Sequence, residues 1–314
     1  MKKTVIAFAL AAALTFFASP AKAAIFVSNY KGNTISQIAS DGTVSTFSSS
    51  SLLSAPYGMV FNTTGDLFVA NSGGNNILKF TSNGTASVLV VDQPSLLKGP
   101  SGLVFDASGN MFVSNYGNSN VLKITPNGAV SVFASGSSIT LNQSIAIEPN
   151  GNLFVASSYQ NPETIAKITS VGTISLFASG GDLKTPDGLA FDASGNLFVS
   201  NYGSSVTDTG NIVKILPNGT QSVFASGAPL NGPGNLAFDA NGDLFVANSK
   251  STTISKISPG GAITTFASSP LLNGPSGLVI QAVSVPEPST FAMAALLSLA
   301  CGGYSLLRRR KKRA

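Results

Sequence analysis

The chain has 314 residues, of which 43% are hydrophobic and only 10% charged, and it carries a formal net charge of +5. That balance excludes a disordered chain and supplies enough apolar material for a sizeable core. The absence of histidine excludes Ser-His-Asp and Cys-His catalysis and His-ligated zinc.

The first 23 residues, MKKTVIAFALAAALTFFASPAKA, join two lysines to an apolar run from Val5 to Phe17 and end in small residues at Ala21 and Ala23. These are the parts of a secretory signal peptide, with cleavage expected after Ala23. The alternative, an uncleaved anchor, fits less well because the apolar run is short for a span. The only cysteine, Cys301, lies far outside the body that follows, so an exported domain here must rely on its packed core.

The body is built from repeats. A Phe-Val pair recurs at Phe26, Phe68, Phe112, Phe154, Phe198 and Phe245, at steps of 42 to 47 residues. Around it runs one template, as in PSGLVFDASGNMFVSNY from Pro100 and PDGLAFDASGNLFVSNY from Pro186. A third short strand such as VLKI (121–124), a Gly-bearing turn and a fourth strand such as VSVFAS (130–135) complete each unit. Four short strands joined by Gly/Asn/Asp turns at this period predict an all-β fold of β-propeller blades. The ends predict how the ring closes. AIFVSNY at the mature N-terminus is a second strand without a first, and PSGLVIQA (275–282) is a first strand without a second, so together they complete a sixth blade. Over residues 24–282 the template resembles the NHL-repeat and regucalcin/gluconolactonase superfamily of six-bladed propellers.

In a four-stranded blade, the turn after the second strand and the connection to the next blade open on the same face. The x of each Pro-x-Gly start is therefore expected around one mouth of the channel, at Tyr57, Ser101, Asn142, Asp187, Gly234 and Ser276. The Asn residues that end second strands, Asn29, Asn71, Asn115, Asn201 and Asn248, are expected beside them, with Tyr202 opening the insertion YGSSVTDTG (202–210). Polar groups converging on a concavity make this mouth the expected binding face. The asparagines also have a purely structural reading, since Asn closes Asx-turns through its own side chain. FDASGN (105–110, 191–196) and DANGD (239–243) look like calcium loops but are short, and hairpin turns explain them.

The resemblance to regucalcin-like enzymes implies a calcium or magnesium ion held by Glu and Asn/Asp side chains at blade starts. Asn142 and Asp187 match two such positions, whereas Ser101 and Ser276 stand where Asn and Glu would be expected. No residue is assigned a catalytic role and no cofactor is expected outright. The missing histidine also excludes the His-dependent lyases found on related propellers, and the missing tryptophan removes the commonest platform for stacking sugars.

At the C-terminus, residues 283–314 combine the motif Val285, Pro286, Glu287, Pro288 and Ser289 with an apolar run (291–307) and a basic stop. Seventeen residues make a helix of about 26 Å, enough for a thin bilayer. The stop, Arg308, Arg309, Arg310, Lys311, Lys312 and Arg313, is expected to stay cytoplasmic. Motif, span and tail in this order resemble the PEP-CTERM sorting signal of Gram-negative bacteria. The resemblance implies processing by an exosortase, after signal peptidase at the other end, and delivery to the cell surface or extracellular matrix. The alternative is a permanent single-span anchor. With the basic residues concentrated at the ends, the body holds nine lysines, no arginine and twelve acids, which argues against a nucleic-acid partner.

The functional expectation is an exported propeller that binds an extracellular protein or polysaccharide without catalysis. A divalent-cation-dependent lactonase or esterase of the gluconolactonase type is the alternative, and a structural matrix component is a third.

Overall fold

Each Phe-Val pair lies in a five-residue second strand buried along its whole length, which is why these segments read as continuous apolar runs. The computed structural model describes residues 23–281, except 91–95, 141, 159–161 and 204–207. The sorting motif, the apolar run before the basic tail and nearly all of the signal peptide lie outside the described residues. Among the described residues no helix is long and apolar enough to cross a membrane.

The described residues form six four-stranded antiparallel sheets. Blade 1 joins β24 (Pro275–Ile280) to β1 (Ile25–Asn29), β2 (Thr34–Ile38) and β3 (Val44–Ser48), so the two ends of the body close the ring as expected. The innermost strands of blades 2 to 6 are β4 (Pro56–Phe61), β8 (Pro100–Phe105), β12 (Asn142–Ile147), β16 (Pro186–Phe191) and β20 (Pro233–Phe238). Each innermost strand packs on the next around the channel, and β20 packs on β24. Blades 2 and 5 are therefore diametrically opposite.

Between blades the cement is aromatic. Phe198 of blade 5 meets Phe224 of its own fourth strand edge-on at 4.9 Å and Phe238 of blade 6 at 5.0 Å. Phe154 repeats this with Phe177 and Phe191, and Phe26 with Phe47 and Phe61. Such pairs contribute roughly 0.5–1.5 kcal/mol each beyond the area they bury. A third-strand lysine covers the exposed side of most of these rings, as Lys167 does over Phe154 at 5.1 Å. Five of the nine body lysines are used this way, on Phe68, Phe112, Phe154, Phe198 and Phe245.

The turns between first and second strands lie at the end of the disc away from the second-strand asparagines. Asp106 Oδ1 accepts the Ser108 and Asn110 amides at 2.9 and 2.8 Å, and Asp192 does the same for Ser194 and Asn196. Gly109 and Gly195 take the positive φ that these turns need. Both FDASGN segments are thus hairpin turns closed by their own aspartate.

Candidate functional site

The Pro-x-Gly start of a blade is a packing device before it is anything else. Its glycine lies against the backbone of the next blade, so a Cβ at Gly277 would strike the Tyr57 carbonyl oxygen and the Ser28 hydroxyl. Gly58 faces the Ser101 carbonyl in the same way. The pairing register shifts just after each of these prolines, which turns the x side chain toward the channel.

A cavity of about 750 Å³ opens at this mouth. Tyr57, Ser101, Asp187 and Ser276 line it from the blade starts, and Tyr30, Tyr116 and Tyr202 line it from the residue that follows the second strand. Lys31 and Lys250 stand among them. The fourth blade start requires a correction. Asn142 pairs with Ser157, and Ser144 with Ala156, as Pro100 pairs with Asn115 and Gly102 with Ser114. Asn142 therefore holds the proline position, and Gln143 is the x residue that lines the mouth.

Asp187 and Tyr57 meet across the channel from opposite blades. The Tyr57 hydroxyl lies 2.6 Å from Asp187 Oδ1 and 2.8 Å from Oδ2 and donates to the carboxylate. Asp187 is only 6% exposed. Burial pushes its carboxyl up to about 6, against the opposing pull of the Tyr57 hydrogen bond. Tyr30 meets the Tyr57 ring edge-on at 6.1 Å. Lys250 lies 4.6 Å from the centre of the Tyr202 ring and donates to the Gly203 carbonyl at 2.9 Å.

The five second-strand asparagines are buried behind this lining, and in four of them the side-chain carbonyl accepts a loop amide, whereas Asn29 Oδ1 has no hydrogen-bond partner among the described residues. Asn201 Oδ1 accepts the Lys184 amide at 2.9 Å, and Nδ2 donates to the Asp182 carbonyl and to Asn211 Oδ1, both at 2.7 Å. Asn71 and Asn115 hold the loops at Ser54 and Lys98 identically, and Asn248 accepts the Asn231 amide. Asn29 donates to Thr34 and Ser36. At Asn71, Asn115, Asn201 and Asn248 the bonds to backbone reach back 17 or 19 residues to clamp the inter-blade connection, so they are not local Asx-turns. Asn201→Ala orphans a loop amide and a carbonyl, and it is expected to lower unfolding free energy by about 2 kcal/mol. Urea denaturation checks this; an unchanged midpoint would show that the clamp carries no load.

The residues around the mouth repeat every second blade. Second strands alternate between VSNY, at Ser28, Ser114 and Ser200, and VAN or VAS, at Ala70, Ala156 and Ala247. The following residue alternates too: Tyr30, Tyr116 and Tyr202 interleave with Ser72, Ser158 and Ser249. The serines of the first set staple neighbouring blades. Ser200 Oγ accepts the Gly188 amide at 2.7 Å and donates to the Gly234 carbonyl at 2.6 Å. In the second set, Ser249 Oγ donates to the Pro275 carbonyl at 2.7 Å, and Ser158 to that of Pro186. The ring is a threefold array of double blades, and its tyrosines Tyr30, Tyr116 and Tyr202 stand at every second blade around the opening. Comparison of segments 86 residues apart, as from Ser28 to Ser114, is the sequence signal that finds them.

A calcium or magnesium shell needs about six oxygen ligands, several of them charged. Among the described residues this mouth gathers one carboxylate, already engaged by Tyr57, while the Ser101 and Ser276 hydroxyls bond backbone carbonyls of Ser114 and Gly274. Among the described residues no three of His, Cys, Asp or Glu come together as a metal-binding group. The residues present do not fit such an ion.

Residues 9–283 match the model of the Virginiamycin B lyase family. No curated protein matches the chain. Among solved structures, a catalytically inactive histidine-to-alanine variant of virginiamycin B lyase from Staphylococcus aureus, with quinupristin, superposes with a TM-score of 0.62 at 15% identity, over 85% of this chain and 94% of that one. A nidogen/laminin complex gives 0.70 at 16% identity, over 83% and 99%. A gluconolactonase from Xanthomonas campestris gives 0.60 at 16% identity, over 73% and 83%. At these identities the likeness is one of fold.

Proposed function

The chain belongs to the Virginiamycin B lyase family, and from that premise we propose that it is an exported propeller that binds an extracellular ligand at the channel mouth without transforming it. One observation carries the reading: among the described residues, a cavity of about 750 Å³ lined by four tyrosines, hydroxyls and two lysines holds a single carboxylate, in a chain without histidine. The S. aureus relative is catalytically inactive once a histidine is replaced by alanine. This chain offers no imidazole anywhere to move a proton near neutral pH. A lactonase of the gluconolactonase kind would need a cation that the mouth is not built to hold.

The two ends supply the address. Signal peptidase cleavage after Ala23 would leave β1 whole, because its first residue is Ile25. The sorting motif at 285–289, the apolar run at 291–307 and the basic stop would pass the chain through the membrane to an exosortase, leaving the propeller at the cell surface or in the matrix. Mass spectrometry of the exported protein is expected to find Ala24 at its N-terminus and the basic tail removed. An intact tail on the surface protein would make it a permanent anchor instead.

The catalytic question is tested with the relatives' substrates. Quinupristin is expected to remain intact on incubation with the protein, and gluconolactone with added calcium to open only at its spontaneous rate. Turnover of either that is lost in Asp187→Asn would contradict a purely binding role.

A further inference from the structure

We infer that Asp187 and Tyr57 form part of a saccharide subsite, in which a sugar ring places vicinal hydroxyls on the Asp187 carboxylate and its faces against the mouth tyrosines. The inference rests on the proposed binding role of the mouth and names the ligand class for it.

The internal threefold repeat separates what the scaffold needs from what this site adds. Ser101 and Ser276 occupy the position of Asp187 in the other two double blades, and each satisfies its hydroxyl on a nearby carbonyl, of Ser114 at 3.1 Å and Gly274 at 3.0 Å. Gln143 and Gly234 occupy the position of Tyr57. The scaffold therefore asks for neither an acid nor a phenol there. Both departures from the repeat meet each other across the channel and line the cavity.

The chemistry of the lining selects the ligand. A carboxylate has about four acceptor sites, and one phenolic proton leaves room for further donors such as a pair of adjacent sugar hydroxyls. Among the described residues, Tyr30, Tyr57, Tyr116 and Tyr202 line the cavity and no phenylalanine does, so every described ring there carries a polar edge. Among the described residues no leucine, isoleucine, valine or methionine lines it either. Tyrosine anchors protein partners too, but those spread over a patch of about 800 Å² per side, whereas this is a concavity of about 750 Å³ whose tyrosine faces and polar groups match the apolar face and hydroxyl edge of a sugar ring. Lys250 and Lys31 also line the cavity and bring ammonium donors suited to ring or carboxylate oxygens.

The test is calorimetric titration of the exported protein with dextran, xylan, mannan and polygalacturonate. At least one is expected to bind, and Asp187→Ser and Tyr57→Phe are each expected to weaken that binding by about tenfold or more. Asp187→Ser is safe for the fold because serine already serves at both equivalent positions. Binding that is unchanged in both variants would overturn the subsite. If it also survives Tyr202→Ala, the mouth is not the binding face and the broader reading falls with it. If no polysaccharide binds while quinupristin does and stays intact, the saccharide class is wrong and the binding role of the mouth stands.

Discussion

Replacing Gly277 by alanine is expected to cost about 3 kcal/mol of unfolding free energy, the upper end for overpacking a dense interior. The new methyl would run into the carbonyl oxygen of Tyr57, which is backbone and has no rotamer into which to retreat. It would also displace the Ser28 hydroxyl, which accepts the Gly277 amide at 2.8 Å and donates to that same carbonyl. Both contacts join the last strand of the body to the first blades, so the damage falls on ring closure. Gly136→Ala is the control, because its Cβ would meet only Ile174 Cδ1 at 3.5 Å. Denaturant unfolding of both variants separates the closure contact from a general loss of glycine; equal stability would show that the blades shift to make room.

The second large effect is on pH dependence. Asp187 holds its proton more tightly in the folded chain, up to about 6 against 3.8 for the ordinary carboxyl. The native state therefore binds more protons than the unfolded state between these values. Stability falls as pH rises through that window and is flat above it. At pH 7.5 the penalty is about 3 kcal/mol. Asp66 and Asp192 act in the opposite sense at the acid end. Lys79 holds Asp66 below its usual range, and for Asp192 the Asn196 and Ser194 hydrogen bonds outweigh burial. Their contribution is lost as pH falls below about 4. Wild type is expected to be most stable near pH 4 to 5, and Asp187→Asn to remove the decline toward neutral pH. A decline that persists in Asp187→Asn would place its source elsewhere.

The blades were legible in the sequence because their causes are local. The Phe-Val pair is buried in every blade, the Pro-x-Gly glycine is fixed by a backbone contact, and AIFVSNY lacks a first strand that PSGLVIQA supplies. The site was legible only in part. LNQS at the fourth blade start has neither the proline nor the glycine marker, and a one-residue slip in strand register is enough to exchange Asn142 for Gln143. The asparagines stood out by repetition, yet the backbone partners of Asn71, Asn115, Asn201 and Asn248 lie 17 or 19 residues back on loops whose course depends on the closed ring. Tyr57 and Asp187 are 130 residues apart, and only the opposition of blades 2 and 5 brings them together. Tyr30 and Tyr116 belong to a two-blade period that lies hidden beneath the stronger one-blade period.

If Asp187 is kept for a ligand and not for the fold, restoring the serine of the other two double blades should relieve the cost of burying its charge. Thermal unfolding of Asp187→Ser beside wild type at pH 7.5 measures this directly. The expected result is a variant at least as stable as wild type, with the midpoint raised. A clearly lowered midpoint would contradict it, and would make the Asp187–Tyr57 bridge a structural tie across the channel.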